Sequence, residues 1–427
     1  MATSVEAVTT LLTVGGLVYM LLALWSARDF EHFWRRAVRA DGGSTAFAPD
    51  VTILKPLKGV DARMYAGFVS HCRQRYTGNF EIVFGVSSMD DPAVAEIDRL
   101  RREFPACAIR LVVCTERLGT SGKVSNLIQM LRHARYDYIL INDSDIRVSP
   151  NYLARVMACF STQGTGSGEQ GTGDADKYGD SGADKTGSRM TAGKSLRPVG
   201  MVTVPYLGRT AEEGSGLTTW ARLEALGIST DFLPGVLTAR MLEGGIRFGL
   251  GSTLAVSRKA LAAAGGLEPL VDYLADDYEM GARIARAGYH IELCPETVET
   301  TVPAYGFAGF WDHQLRWARS TRDSRRWGYI GLGITYSVPW AVLNCVASGF
   351  ALWSFSLLSL VLLARVSVAL TVGVGLLRDE QVLRDIWLLP LRDCFGLVVW
   401  AWCFASHTVV WRGEEFELTN GRITRVA

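Results

Sequence analysis

The 427 residues carry 44 Lys and Arg against 43 Asp and Glu, a net charge of +1, so no whole-molecule attraction to nucleic acid is implied. Hydrophobic residues make up 48% of the chain, high for a wholly soluble protein, and the surplus lies at the two ends. The eight cysteines are scattered without a Cys-x-x-Cys pair, which suits free thiols in a reducing compartment better than a disulfide framework or a zinc site.

Residues 9–25 form an uncharged apolar run close to the length that spans a bilayer. Glu6 precedes the run, and Arg28, Arg35, Arg36 and Arg39 follow it. That order is the reverse of a cleaved signal peptide. By the positive-inside rule it predicts an anchor over residues 1–40, with the N-terminus outside and the next domain in the cytoplasm. Trp25, Phe30, Phe33 and Trp34 are placed to sit at the interface.

From Asp50 the pattern alternates between strands and helices. Strands are predicted at 51–54, 80–86, 109–114 and 138–141, with helices at about 62–74, from Pro92 to 104, and after the glycine-containing loop 118–123. Such alternation predicts a mainly parallel sheet covered on both faces. Residues 162–195 are dominated by Gly, Ser, Thr, Asp and Lys, a composition that cannot bury enough surface to offset ordering, so a disordered insertion is predicted. The sheet pattern resumes at 199–204. It continues through a loop and strand at 249–256, a helix at 258–264, a helix from the acidic stretch 273–280 to Ala287, and a strand at 291–293. Residues 310–327 form a helix crowded with Arg and Trp.

Beyond Tyr329 the chain turns apolar again. Residues 330–352 and 355–377 are long enough to span, and Arg365 in the second should face protein or water. Arg392 and Asp393 interrupt the apolar stretch 386–411, which predicts an interfacial or re-entrant helix, followed by a basic cytoplasmic tail at 412–427.

The strand at 138–141 ends in Asn142-Asp143-Ser144-Asp145. Carboxylates at the C-terminal edge of a buried strand stand where open α/β sheets bind ligands. Asp143 and Asp145, two residues apart, leave an extended backbone on the same side and repel unless a cation or donors sit between them. Mg²⁺ on a diphosphate suits such a pair, since it takes few carboxylates and fills its other positions with phosphate and water. The bland reading has Asp143 capping a helix and Asp145 solvated. Asp90-Asp91, Asp276-Asp277 and His313-Gln-Leu-Arg316-Trp317 are three further clusters that need a common explanation.

Read in order, residues 54–61 (Leu-Lys-Pro-Leu-Lys-Gly-Val-Asp), Asp90-Asp-Pro92, 123–127 (Lys-Val-Ser-Asn-Leu), 143–148 (Asp-Ser-Asp-Ile-Arg-Val), Ala275-Asp-Asp-Tyr278 and Arg316-Trp317 resemble a known pattern. It is that of inverting nucleotide-sugar glycosyltransferases with a single GT-A-type domain. More narrowly, the chain resembles the ceramide glucosyltransferases of glycosyltransferase family 21, on a bacterial branch that includes hopanoid-modifying relatives. The resemblance covers roughly residues 50–329 and the flanking membrane segments. It implies a GT-A-type (Rossmann-like), mainly parallel α/β domain at 50–329, between the N-terminal anchor and C-terminal membrane segments at 330–411. It also implies a UDP-sugar donor, with Mg²⁺ or Mn²⁺ held by Asp143 and Asp145.

Asp90 and Asp91 would then serve the base and ribose. Lys123, at a helix start after glycines, would meet the diphosphate. Asp277 would be the general base with Asp276 in support, and Arg316 and Trp317 would close over the site with His313 at the head of their motif. The bland alternatives are a helix cap for Asp91, an exposed lysine for Lys123, and complements to a helix N-terminus for Asp276 and Asp277. Arg319, Arg322, Arg325 and Arg326 are expected to form a belt on anionic headgroups.

The expected reaction moves glucose from UDP-glucose to ceramide. The alternatives are N-acetylglucosamine transfer to a hopanoid or a processive polysaccharide synthase, which normally brings more membrane helices. A silent scaffold predicts a broken carboxylate set, and this set is intact. Two departures from the family pattern stand out: His313 where Gln or Arg is usual, and Asp145 where animal enzymes tend to have glycine. The resemblance implies a multi-pass protein of the cell (inner) membrane with its catalytic domain cytoplasmic, a lipid and the membrane as partners, and no nucleic acid.

Overall fold

The apolar runs between residues 51 and 293 assemble into one seven-stranded sheet. The computed structural model describes residues 2–40, 47–61, 63–161, 197–210, 217–411 and 414–426, so the insertion expected at 162–195 lies outside the described residues. Strands β1 (Val51–Pro56), β2 (Phe80–Val86), β3 (Ala108–Val113), β4 (Tyr138–Asn142) and β5 (Val199–Thr203) belong to this sheet. After β6 (Tyr206–Arg209) come β7 (Thr253–Ser257), β8 (His290–Leu293) and β9 (Val298–Thr301). The order is β3-β2-β1-β4-β7-β5-β8, while β6 and β9 pair apart as a small parallel sheet.

Only β7 is antiparallel to its neighbours, with Leu140 of β4 opposite Ala255. The other pairings are parallel, because helices Met64–Cys72, Ala93–Glu103 and Gly122–Leu131 carry the chain back between strands. The expected α/β architecture is therefore the one adopted. Parallel β1, β2 and β4 end at one rim, which gathers Asp90, Asp91, Asp143 and Asp145 there.

Alternation along the strands feeds two cores. Ile53, Ile82 and Leu140 face the helices Met64–Cys72, Ala93–Glu103 and Tyr152–Ala158. Leu54, Val83 and Ile141 face the helices Gly122–Leu131 and Leu233–Leu242. Each fully buried aliphatic side chain of this kind contributes about 1.5–3 kcal/mol. The second core continues without a break into Met20, Ala23 and Phe30 of the N-terminal helix Ala2–Ala40. That helix is thus bound to the sheet domain as well as being apolar enough to span.

Three helical stretches among the described residues are long and apolar enough to cross a membrane: Ser4–Arg35, Leu352–Leu376 and Gln381–Ala405. The single span expected at 330–352 is instead a pair of helices, Arg326–Thr335 and Ser337–Ala347, bent by 54°. The stretch expected to be interfacial or re-entrant is a 25-residue helical run in which Asp385, Arg392 and Asp393 are buried. Arg365 faces protein as anticipated: it donates to Asp393 Oδ1 at 2.8 Å and pairs with Asp231, and Arg392 Nε reaches Asp231 Oδ2 at 2.8 Å.

Most of the stretch expected as a tail is folded. Strands β10 (Thr408–Trp411), β11 (Glu414–Thr419) and β12 (Arg422–Arg425) form an antiparallel sheet. Phe416 and Leu418 point inward while Glu415 and Glu417 point out, the period-2 pattern of a half-buried strand. Asn420 and Gly421, at φ of 52° and 77°, make the two-residue turn that twisted hairpins favour.

Candidate active site

The site starts where β4 ends. Asn142, fully buried, donates from Nδ2 to Ser252 O at 2.9 Å and Thr253 Oγ1 at 3.0 Å, which fixes the strand end against β7. On the other side, buried Lys55 of β1 donates from Nζ to Asp143 O at 2.9 Å. Burial pulls the Lys55 ammonium down to about 7, with Asp145 and Asp143 offsetting part of the effect. The backbone that carries the carboxylates is therefore held from two neighbouring strands.

The Asp143 side chain meets Lys123 Nζ at 2.8 Å, and the same ammonium stands 3.5 Å from Asp276 Oδ2. Asp276 Oδ2 is buried and makes no hydrogen bond, so Lys123 is its charge partner. Burial alone would lower the Lys123 pKa; Asp143 and Asp276 together outweigh it and hold it above the ordinary lysine range. Lys123 is a fixed cation between two acidic motifs. Ser121 starts its helix, accepting from Val124 N at 3.3 Å.

Asp277 lies in the first turn of helix Asp276–Arg286 and accepts from its neighbour Tyr278 N at 2.8 Å. Gly251 leaves room for it, since a Cβ there would come within 2.9 Å of Asp277 Oδ2. Burial and the Asp276 charge push Asp277 up to about 7, against the opposing pull of Lys123. A carboxylate poised there can take up a proton near neutral pH.

Asp145 points the other way along the rim. Its Oδ2 accepts from Thr300 Oγ1 at 2.7 Å and Thr301 N at 2.6 Å, both on β9. Burial, with a contribution from Asp143, raises its pKa despite these donors. A divalent cation would relieve that cost, and Asp143 and Asp145 supply hard oxygen ligands for it. No group of three or more metal-type side chains gathers among the described residues. Asp143 and Asp145 are the two carboxylates that could hold such an ion, with its other positions filled by phosphate and water.

A cavity of about 720 Å³ joins these groups to the apolar helices. It is lined by Lys123, Asp143, Asp276, Asp277, Arg316 and Trp317 together with Met20, Val236, Leu332, Val399 and Trp400. The sequence-predicted residues Asp90, Asp91, Asp145 and His313 do not line it. Asp90 is exposed beside Ser88. Asp91 accepts from Ala93 N at 2.9 Å and Gly59 N at 3.0 Å, so it satisfies a helix start and pins the loop after β1.

His313 Nδ1 lies 2.9 Å from Glu224 Oε2, and its ring packs 4.7 Å from that of Trp317. The expected headgroup belt is overturned for Arg319 and Arg322, both buried. Arg319 donates to Thr408 O, and Arg322 donates to Ser406 O at 3.2 Å. Arg325 pairs with Glu243.

Residues 8–172 and 184–424 match the sequence profile of glycosyl transferase family 21. The chain belongs to that family. Ceramide glucosyltransferase 3 of Caenorhabditis elegans is 23% identical over 317 residues, covering 73% of this family 21 chain but only 59% of the relative. Ceramide glucosyltransferase 1 of the same organism is 22% identical over 393 residues, covering 88% of this chain and 73% of the relative. Among solved structures, a mannosyltransferase from Pyrobaculum calidifontis in complex with GDP-Man and Mn²⁺ is 18% identical. It aligns over 94% of this chain and 97% of its own at a TM-score of 0.47, a likeness too loose to carry an argument about the site.

The cavity of this family 21 glycosyltransferase is lined both by the charged groups of the sheet rim and by side chains of the apolar helices, among them the charged Arg365, Arg392 and Asp393. Sequence reasoning missed Glu224 and Lys55 as parts of the site. Lys55 carries a signal, a lone cation inside a strand of otherwise uncharged residues. Glu224 carries a weaker one, an acid on the buried face of Thr219–Gly227 between Leu223 and Ala225.

Proposed function

We propose that this enzyme transfers a hexose from a UDP-sugar to the hydroxyl of a membrane lipid with inversion, and that the reaction is glucose transfer from UDP-glucose to ceramide. The observation that carries the reading is the single cavity joining Asp277, Lys123 and Asp143 to walls built by membrane-type helices. A charged, water-soluble donor and an apolar acceptor can meet only where such surfaces are continuous. The similarity to ceramide glucosyltransferases supports the choice of lipid and sugar.

In this reading Asp277 accepts the proton of the attacking hydroxyl, and its position among cavity walls excludes competing water. Asp276 raises the basicity of Asp277 by like-charge repulsion, and Lys123 draws it part of the way back down. Lys123 and Arg316 face the departing diphosphate, and Trp317 gives the sugar a flat wall. Asp143 and Asp145 would hold Mg²⁺ or Mn²⁺, which when bound neutralises diphosphate charge and stabilises the leaving UDP. Asp91 and Asp90, on the same rim but outside the cavity lining, would serve the uracil or ribose of a donor that extends beyond it. The enzyme sits in the cell membrane with this site on the cytoplasmic side, where UDP-sugars are made.

The test is direct. Purified enzyme in liposomes is given UDP-glucose or UDP-N-acetylglucosamine with ceramide, a hopanoid alcohol or diacylglycerol, and products are read by mass spectrometry. Glucosylceramide as the main product supports the reading. Transfer to the hopanoid alone, or a polymer, would refute it.

A further inference from the structure

We propose that the C-terminal hairpin is a positioning element of the active site, with Asp272 as the residue through which it acts. The inference rests on Asp277 being the base and goes beyond it. Residues 271–274, just before the Asp276-Asp277 pair, touch two parts of the molecule and are linked to a third through the first of them.

The first part is the hairpin. Ile423 N donates to Asp272 O at 2.8 Å, Leu274 N donates to Gly421 O at 3.0 Å, and Tyr273 bridges Arg422. Leu274 also closes the small core made by Val409, Phe416, Leu418 and Ile423, while lining the cavity on its other side. The second part is the loop that delivers Lys123. Thr120 N donates to Asp272 Oδ1 at 2.9 Å, and Ser121 N donates to Val271 O at 2.8 Å. Gly119 permits this approach, since a Cβ there would stand 2.6 Å from Val271.

The third part is reached through the hairpin itself. Gly421 N donates to Asp323 Oδ2 at 3.2 Å, and Arg319 donates to Thr408 O. Asp323 and Arg319 lie on the helix Phe307–Ser324 that carries Arg316 and Trp317. The hairpin thus ties the segment leading into the base to the helix on the opposite wall of the cavity. A base displaced by about 1 Å loses as much as 10²-fold in rate, so a tie of this kind bears on turnover.

Three full-length variants test this alongside Asp277→Asn. Ile423→Pro removes the one N–H donated to Asp272 O. We expect kcat to fall about 10–100-fold with UDP affinity nearly unchanged. The acid limb of the kcat profile should move to lower pH, because loosening the segment lets water reach Asp277. Asp272→Ala removes the acceptor for Thr120 N–H and should raise KM for the UDP-sugar; Asp272→Asn keeps an oxygen there and should restore it.

Wild-type kcat and an unmoved pH profile in folded Ile423→Pro would overturn the proposal. Should Ile423→Pro fail to fold, the Asp272 pair decides: equal KM in the Ala and Asn variants also overturns it. If Asp277→Asn itself turns over normally, the base assignment has failed instead. An inactive Asp277→Asn beside unaffected hairpin variants leaves that assignment standing and removes only the hairpin's role.

Discussion

Replacing Asp277 with Asn keeps the shape and one hydrogen-bond acceptor but removes the proton acceptor. Oδ1 can still accept from Tyr278 N, so the first turn of the helix is undisturbed. Turnover should fall about 10²–10⁴-fold, the usual worth of a positioned base. That corresponds to about 3–5 kcal/mol of transition-state stabilisation. Wild-type kcat should rise with pH and level off above about 7, where burial and Asp276 place the Asp277 pKa. The variant should lose that limb.

Stability moves in the opposite sense. The folded state holds the Asp277 proton more tightly than the unfolded chain, where the ordinary value is 3.8. Ionisation therefore costs stability progressively from pH 3.8 to about 7 and by a constant amount above that. Asp277→Asn should melt higher than wild type at pH 8 and equally near pH 4. The assays are UDP release with ceramide as acceptor, UDP binding by calorimetry, and thermal melts at the two pH values. Near-normal turnover in the variant, or a melting difference that is the same at both pH values, would refute the reasoning.

Other expectations follow from individual contacts. Asp145→Asn should weaken metal-dependent UDP-sugar binding, with partial rescue by excess Mn²⁺; calorimetry showing equal affinity would remove Asp145 as a ligand. Arg365→Met leaves Asp393 buried without its partner and should cost about 3–5 kcal/mol, with part recovered by adding Asp393→Leu, as read by denaturant melts in detergent. His313→Gln can still donate to Glu224 and should keep turnover within about threefold, whereas His313→Ala should lose roughly tenfold through Trp317; equal losses would deny His313 its positioning role.

The sheet was legible because its strands are short apolar runs closed by polar rims, as at Tyr138–Asn142 before Asp143. Lys123, Asp143, Asp276 and Asp277 could be picked out because each stands where an element ends or begins, and Arg316 and Trp317 because they close a spaced motif; the structure brings all six to one cavity. The missing pieces depend on contacts distant in sequence. Arg319 and Arg322 look like surface charges until residues 403–408 return to meet them. Glu224 looks like any helical acid until His313 packs above it. The hairpin was legible and overlooked: Asn420-Gly421 between alternating residues is a local turn signal, masked by the apolar stretch before it. The break at Tyr336 did carry a signal, Pro339, whose ring and missing N–H disfavour a helix continuing through Thr335.

The Arg365 network also constrains how the protein is made. Asp231 precedes Arg365 by 134 positions, whereas Asp393 follows it by 28. An arginine alone at the middle of a lipid-embedded helix costs about 2.5–3.5 kcal/mol on insertion scales. When Leu352–Val368 leaves the ribosome, the earlier domain has been synthesised and Asp231 is the first available counter-charge. Docking onto that domain, not pairing with the last helix, is then what admits the segment to the bilayer. Arrest of synthesis before Asp393 emerges should leave the helix inserted and cross-linkable to Ile228–Phe232, and Asp231→Leu in the same arrested chain should lower its insertion.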